Sequence, residues 1–387
     1  MKRFKRILLL LSVLAMVAAL MSACTQTAEP EQTLPKETSA SDQTSETSDW
    51  TTTSEPQTSD STGTTEPSST ETTPEGTELS KPVADAVRKA WNVEGDLTDD
   101  LLKKTEVLEI AFGTWEQAET SADGSLQLPI SDLTGLEACT ALRELYLMDY
   151  YGTDLSAISG LNQLEVLSVQ FAGNLPAEIM WDTAALAGLS LKRLQIDNYP
   201  LADLTDIDRL TSLQELWLTR CPLADLSPLA NLTGLEMLYL GGISGTGLQN
   251  AIRDLSPLSG LTQLQRLFLA GVEGDLSPIA ALPLTQLMIA WSTVTNYAPL
   301  ASMQTVSDLA LGNTNLTDSD TAVFKEMAGL KAVLWIAAPE GAHPEQLGEL
   351  LKTMGRSDVL SIDEAAQTDP NAYDAFMSRM YPTFRTK

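Results

Sequence analysis

Histidine occurs once in the 387 residues, at position 343, and cysteine only three times. A Ser-His-Asp or Cys-His relay would have to use that single imidazole. His343 sits in Gly341-Ala-His-Pro-Glu345, ahead of a helical stretch, where an exposed residue at a helix start is the simpler reading. Basic residues are also scarce: 24 Lys and Arg face 52 Asp and Glu, for a formal charge of −28. That sign repels phosphate backbones and anionic lipid, so nucleic acid is not an expected partner. Phosphate loop, zinc spacing and dinucleotide fingerprint are all missing, and no cofactor is expected. Asp318 and Asp320 lack the Asp-Gly loop of a calcium site. No metal is expected there, and Asp320 is read as the cap of a helix running to about Ala328. Carboxylate chemistry is left as a remote possibility, and the chain is not read as an enzyme.

Aliphatic side chains are nearly absent between Thr25 and Ser80, where Ser and Thr dominate and Glu, Asp and Pro are scattered. Such a stretch cannot offset the cost of ordering, so residues 24–80 are expected to be a disordered, acidic stalk. As a coil it would average roughly 40 Å end to end, with a ceiling of roughly 180 Å. Before it, Lys2, Arg3, Lys5 and Arg6 precede the apolar stretch Ile7 to Met21. That stretch is too short and wrongly flanked for a resident membrane helix. It ends in Met21-Ser-Ala-Cys24, which resembles a bacterial lipoprotein signal with Met in place of the more usual Leu. The resemblance implies removal of residues 1–23, a lipid on Cys24, and attachment to the outer face of a bacterial cell membrane. The alternative is ordinary secretion with cleavage nearby.

What the chain has in abundance is leucine at fixed intervals. From Asp203, Leu204, Ile207, Leu210, Leu213 and Leu216 fall every third residue, and Leu218 follows after two. The pattern restarts at Asp225 with Leu226, Leu229, Leu232, Leu235, Leu238 and Leu240. Self-similarity at about 22 residues marks a repeat array. The closing Leu-x-Leu puts Leu216 and Leu218 on one face of a short strand and Trp217 on the other. One strand per repeat, always in the same direction, predicts a parallel sheet. Each repeat buries about six apolar side chains at roughly 1.5–3 kcal/mol apiece, against roughly 1 kcal/mol or more per residue of ordering entropy. Neighbours must therefore stack, and both ends must be capped.

Leu213 to Leu229 and Leu235 to Leu258 resemble the bacterial internalin-type leucine-rich repeat. The most specific pieces are Asp225-Leu-Ser-Pro-Leu229, Asp254-Leu-Ser-Pro-Leu258 and Asp275-Leu-Ser-Pro-Ile279. The resemblance implies an α/β solenoid: an arc with its parallel β-sheet on the concave face and helical caps. One position departs from the family. Three residues past the second strand leucine stand Tyr150, Ala172, Tyr199, Cys221, Ile243, Val272, Ser292 and Thr314, none of them the Asn that bonds turn backbone in the family. Those backbone groups must find other partners. A disulfide between Cys139 and Cys221 is not expected, because several repeats separate them.

Residues 81–107 are expected to form the N-terminal cap. Ser80 would start a helix with Val83, Val87, Ala90 and Trp91 inward, and Thr98 a second. The array spans 108–340, with strands centred on Leu108 to Ile110, Leu145 to Leu147, Leu167 to Val169, Leu194 to Ile196 and Leu216 to Leu218. They continue at Leu238 to Leu240, Leu267 to Leu269, Leu287 to Ile289, Leu309 to Leu311 and Leu334 to Ile336. Insertions at about Phe171 to Asp182 and Ile243 to Arg253 follow strands and share one edge. Residues 341–387 form the C-terminal cap and tail, with a helix over Pro344 to Met354 and Phe376, Met380, Tyr381 and Phe384 packing back.

The candidate site is the concave face. The residue between the strand leucines projects there: Tyr146, Ser168, Gln195, Trp217, Tyr239, Phe268, Met288, Ala310 and Trp335. Arg193, Glu215, Arg220, Arg266 and Trp291 lie beside it. Aromatic side chains flanked by Arg anchor protein interfaces, so Tyr146, Arg193, Glu215, Trp217, Arg220, Tyr239, Arg266, Phe268, Met288 and Trp291 are the candidate contacts for a protein ligand. Two alternatives stand: a carbohydrate or cell-wall ligand stacked on the same rings, and rings that merely stiffen the sheet.

Overall fold

The computed structural model describes residues 70–112, 119–120, 126–127, 131–152, 154–171, 183–198, 204–221, 223–241, 252–336, 339–369 and 371–380. The signal segment, Cys24, most of the expected stalk, most of both insertions, and Tyr381 and Phe384 lie outside the described residues.

The expected stalk ends earlier than Ser80. Thr70–Thr72 (β1) and Glu78–Ser80 (β2) pair antiparallel, with Thr70 opposite Ser80. Leu79, fully buried, gives this hairpin the apolar anchor that the rest of the Ser/Thr-rich stretch lacks. Helix α1 (Lys81–Trp91) follows directly, with Pro82 in its first turn. Ser80 does not cap it through its side chain; its Oγ donates instead to the Asp132 carbonyl at 2.7 Å. The inward side is Val83, Ala84, Ala86 and Val87, whereas Trp91 is 41% accessible and donates Nε1 to Thr105 Oγ1. Helix α2 (Asp99–Lys103) is capped as expected, Thr98 accepting from the Leu101 amide.

Strand β3 is Val107–Ala111, and a short hairpin pairs β4 (Glu119–Thr120) with β5 (Leu126–Gln127). The repeat strands follow: β6 (Glu144–Met148), β7 (Val166–Gln170), β8 (Arg193–Asp197), β9 (Glu215–Thr219) and β10 (Met237–Gly241). Then come β11 (Arg266–Ala270), β12 (Gln286–Ser292), β13 (Asp308–Thr314), β14 (Ala332–Ile336) and β15 (Leu360–Ser361). Apart from the hairpin strands β4 and β5, β3 to β15 make one eleven-stranded sheet in strict chain order, every neighbour parallel. Leucine pairs with leucine from strand to strand: Leu194, Leu216, Leu238, Leu267, Leu287 and Leu309 form one row.

Return segments are short 3-10 turns, such as Ser227–Asn231 and Ser256–Gly260. The core lies between them and the sheet. Ile207, Leu210, Leu213, Leu216 and Leu218 are fully buried, each three-residue step delivering one side chain inward. The Asp-Leu-Ser-Pro motif starts three of these turns. Asp225, Asp254 and Asp275 accept the backbone amides of Ser227, Ser256 and Ser277 at 2.8, 2.8 and 3.1 Å. The serine side-chain hydrogen bonds, and after them these backbone bonds, hold all three carboxyls below their usual range, and Pro supplies the turn's φ while needing no donor.

At the far end, α3 (Leu347–Thr353), β15, α4 (Ile362–Thr368) and α5 (Ala372–Met380) close the core. Arg356 is nearly buried. It donates to the carbonyls of Phe324, Met327 and Leu330 at 2.7, 2.9 and 2.9 Å and pairs with Asp358. Asp320 does not begin an α-helix to Ala328: a 3-10 segment, Asp320–Lys325, stands there, and Asp320 accepts from Thr317 instead. His343 bonds Asp318 through both its backbone amide and Nδ1, at 2.8 and 2.6 Å.

Candidate ligand-binding face

The sheet face turned away from the 3-10 segments carries three rows of side chains, because strand residues alternate sides. Register fixes the middle row as Glu109, Tyr146, Ser168, Gln195, Trp217, Tyr239, Phe268, Met288, Ala310 and Leu334. Eight of the nine expected members are in it. Trp335 is not: it pairs with Leu311 and is fully buried on the core side, with Leu334 in the row. Val333-Leu-Trp335 fits the strand pattern as well as Leu334-Trp-Ile336, and a shift of one residue exchanges the faces.

The middle row divides by chemistry. Tyr146 donates its hydroxyl to Glu144 at 2.7 Å, three strands from Trp217 and apart from the other rings. Ser168, Gln170 and Gln195 form a closed polar cluster. Then come the rings. Trp217 and Tyr239 stack at 5.0 Å and 16°, Tyr239 and Phe268 at 4.1 Å and 11°. Parallel strands about 5 Å apart impose that spacing. Gly241 makes room: a Cβ there would lie 2.5 Å from the Tyr239 ring. Met288 sits next to Phe268 in register.

These ring-stack candidates do not form an exposed strip. Trp217, Tyr239, Phe268 and Met288 are only 7, 3, 5 and 3% accessible. Stacking hides the flat faces, and this bears on the carbohydrate alternative. A sugar stacks on a ring's face, and these faces lie against one another.

The charged candidates occupy the flanks, half-buried. Arg193, Glu215 and Arg266 share the upstream row with Met237, and Arg266 Nη2 lies 3.5 Å from Glu215 Oε1. Arg220 lies on the downstream rim. Its Nε and Nη2 hold both oxygens of Asp197 at 3.0 and 2.8 Å, and Nη2 also reaches the Phe171 carbonyl at 3.1 Å. Thr219 donates to the same Asp197. Trp291 is on this rim too, after Met288, rather than in the ring stack.

The rim has a regularity of its own. Two residues past the second strand leucine the backbone is left-handed: Asp149, Asn198, Arg220, Gly271, Trp291 and Asn313 have φ of 55, 64, 56, 74, 45 and 49°. Asp, Asn and Gly adopt this readily; Arg and Trp do not. The sequence reading missed this position, and Asp197 and Thr219 with it. The recurring Asp, Asn or Gly was the available signal. One residue further on, Tyr150, Cys221, Val272, Ser292 and Thr314 are buried in place of the family's Asn. Ser292 takes over its bonding: Oγ donates to the Ala290 carbonyl at 2.7 Å and accepts the Val272 amide at 3.0 Å. Cys139 and Cys221 are both free and buried, and burial pushes the Cys139 thiol up to about 12.

Eleven parallel strands in chain order, one per leucine repeat and joined by 3-10 turns, decide the architecture. The fold is a leucine-rich-repeat solenoid. No protein-family model matches the chain, and no curated protein does. Solved structures do. An internalin C2 from Listeria monocytogenes is similar at 24% identity over 60% of this chain and 92% of its own, with a TM-score of 0.49. A second Listeria monocytogenes internalin matches at 19% over 73% of this chain and 94% of its own, TM-score 0.44. A leucine-rich-repeat protein of Leptospira interrogans matches at 19% over 60% of this chain and 57% of its own, TM-score 0.41. Among the described residues of the solenoid, no group of His, Cys, Asp and Glu is placed to hold a metal ion, and no helix is long and apolar enough to cross a membrane.

Proposed function

We propose that this solenoid is a lipid-anchored surface module that binds a protein ligand through the sheet face between β8 and β12. The observation that carries the reading is the stack Trp217, Tyr239 and Phe268 at the centre of that face, bordered by half-buried Arg193, Glu215, Arg220 and Arg266. A core does not need this stack, since the leucines of the same strands point the other way. Ring edges framed by guanidinium and carboxylate groups suit a polypeptide, which offers carbonyls, amides and side chains to all of them. The sequence supports the remaining parts. Cys24 carries the lipid that holds the protein on the outer face of the cell membrane, and the acidic stalk carries the solenoid away from the bilayer.

The test is a pull-down from extracellular and cell-surface fractions, using the chain without its first 24 residues as bait, with a glycan array alongside. A protein captured by wild type and released by Arg266→Glu supports the reading. Capture unaffected by Arg266→Glu, or binding on the glycan array alone, contradicts it.

A further inference from the structure

The triangle of Ser168, Gln170 and Gln195 is closed within itself but not toward solvent. Gln170 Nε2 uses both protons, on Ser168 Oγ at 3.1 Å and on Gln195 Oε1 at 2.9 Å. The Ser168 hydroxyl donates to the same Gln195 oxygen at 3.1 Å. These bonds tie the two amide orientations to each other and leave two atoms over. Among the described residues, Gln170 Oε1 accepts from nothing and Gln195 Nε2 donates to nothing. Reversing both amides together would keep all three contacts and again leave one acceptor and one donor. Neither spare atom is closed off from water, and both side chains are half-buried beside Ser168, which is 1% accessible.

The surroundings are fixed as well. Asp197 pairs with Gln170 in register, but Arg220 holds both its oxygens and Thr219 donates to one of them, so it does not compete for a bond. Gln195 pairs with Trp217 on its other side, which puts the amides at the start of the ring stack. The triangle itself is neutral, in a chain of charge −28.

Few chemical groups fit such a pair. A carboxylate offers acceptors alone and would set an oxygen against Gln170 Oε1. An ammonium or guanidinium offers donors alone and leaves the Gln195 amide unanswered. A trans peptide group has both, but on opposite sides, so it meets one atom at a time. A primary carboxamide carries its C=O and N–H on one edge.

We propose that Gln170 and Gln195 form a carboxamide subsite, which takes the side chain of a glutamine or asparagine in the bound polypeptide. The subsite rests on the sheet face being the binding site, and it adds a requirement on the ligand. The ligand's side-chain carbonyl accepts from Gln195 Nε2 while its amide donates to Gln170 Oε1. Glutamate or aspartate at that position is rejected, because setting a partly buried acceptor against another oxygen costs more than the remaining bond gains.

The experiment is a titration of the full chain carrying isotope-labelled glutamine, followed at the side-chain amide resonances of Gln170 and Gln195. Gln170→Met and Gln195→Met assign them. The probes are N-acetylglutamine N-methylamide, its glutamate counterpart, and its norvaline counterpart, which has backbone amides only. The glutamine probe should shift both resonances saturably and bind at least about tenfold more tightly than either of the others. Gln195→Glu removes the donor and keeps the acceptor for Gln170, so the glutamine probe should bind it at least about tenfold more weakly, read at Gln170. Were that variant unfolded, the comparison of probes on the unaltered chain decides alone. No response to the glutamine probe, equal affinity for the glutamate or norvaline probe, or unchanged binding by a folded Gln195→Glu overturns the proposal. No protein ligand enters this titration, so a negative result leaves the sheet-face reading to be decided by the pull-down with Arg266→Glu.

Discussion

Leu216 and Thr219 show what one residue contributes. Leu216 is fully buried between its neighbours in adjacent strands, so Leu216→Asp places an unpaired charge in the core and should cost several kcal/mol, roughly 3 or more. Thr219 is no neutral control, because its hydroxyl bonds Asp197. Thr211, exposed in the return segment, serves instead, and Thr211→Asp should shift stability by no more than about 0.5 kcal/mol. Urea denaturation of the two variants decides this; equal midpoints would put Leu216 outside the core. The lone histidine offers a second check. The bond to Asp318 raises His343 above the ordinary imidazole value of 6.5 and lowers Asp318 below 3.8. The raised histidine stabilises the fold fully below 6.5 and loses that contribution as pH climbs through its folded value. The lowered carboxyl contributes above 3.8 and loses it as pH falls through its own. The single imidazole resonance should therefore titrate above 6.5 and return toward 6.5 in Asp318→Asn; an unchanged midpoint in that variant would remove Asp318 as the cause.

Elements were legible wherever a side-chain period enforces them. Nine strands follow from Leu-x-Leu, because only one register buries both leucines. The last full strand did not, since Val333, Leu334, Trp335 and Ile336 are all apolar and the pattern loses its phase. The 3-10 turns and the Asp that precedes them were present as the Asp-Leu-Ser-Pro motif, but the bond from Ser227 to Asp225 shows only in three dimensions. The left-handed rim was hidden by Arg220 and Trp291, which break a series otherwise made of Asp, Asn and Gly. Of the candidate site, the middle row was legible from alternation alone. Its closure to water was not, because accessibility depends on what lies above a sheet, and a strand's period does not encode that. Gly241 is where strand and site meet. Gly241→Val would force the Tyr239 ring aside, and should cost about 1–3 kcal/mol and reduce the near-ultraviolet circular dichroism of the stack. A variant with unaltered near-ultraviolet signal would mean that the rings do not depend on that gap.

At the scale of the whole molecule the solenoid is a capped array, for which a lipid anchor and a stalk are proposed. Cys24→Ser should shift the protein from the membrane fraction to the medium or leave it unprocessed, while its melting temperature stays unchanged. Radioactive fatty acid incorporated by wild type and absent from the variant is the expected pattern; an unlabelled wild type free in the medium would contradict the anchor. Two caps close an open-ended core, and Arg356 ties the second one to the array. Arg356→Ala would leave three carbonyls without their donor and should lower stability by roughly 2–4 kcal/mol. The central claim is that one face of the sheet recognises the ligand and the other face of the molecule does not. The most direct measurement is a calorimetric titration of the captured protein against wild type, Trp217→Ala, and Ser259→Ala in the exposed 3-10 segment Ser256–Gly260. Trp217→Ala should bind at least about tenfold more weakly, about 1.4 kcal/mol, while Ser259→Ala binds as wild type does. A folded Trp217→Ala that binds normally, or a loss confined to Ser259→Ala, would contradict it.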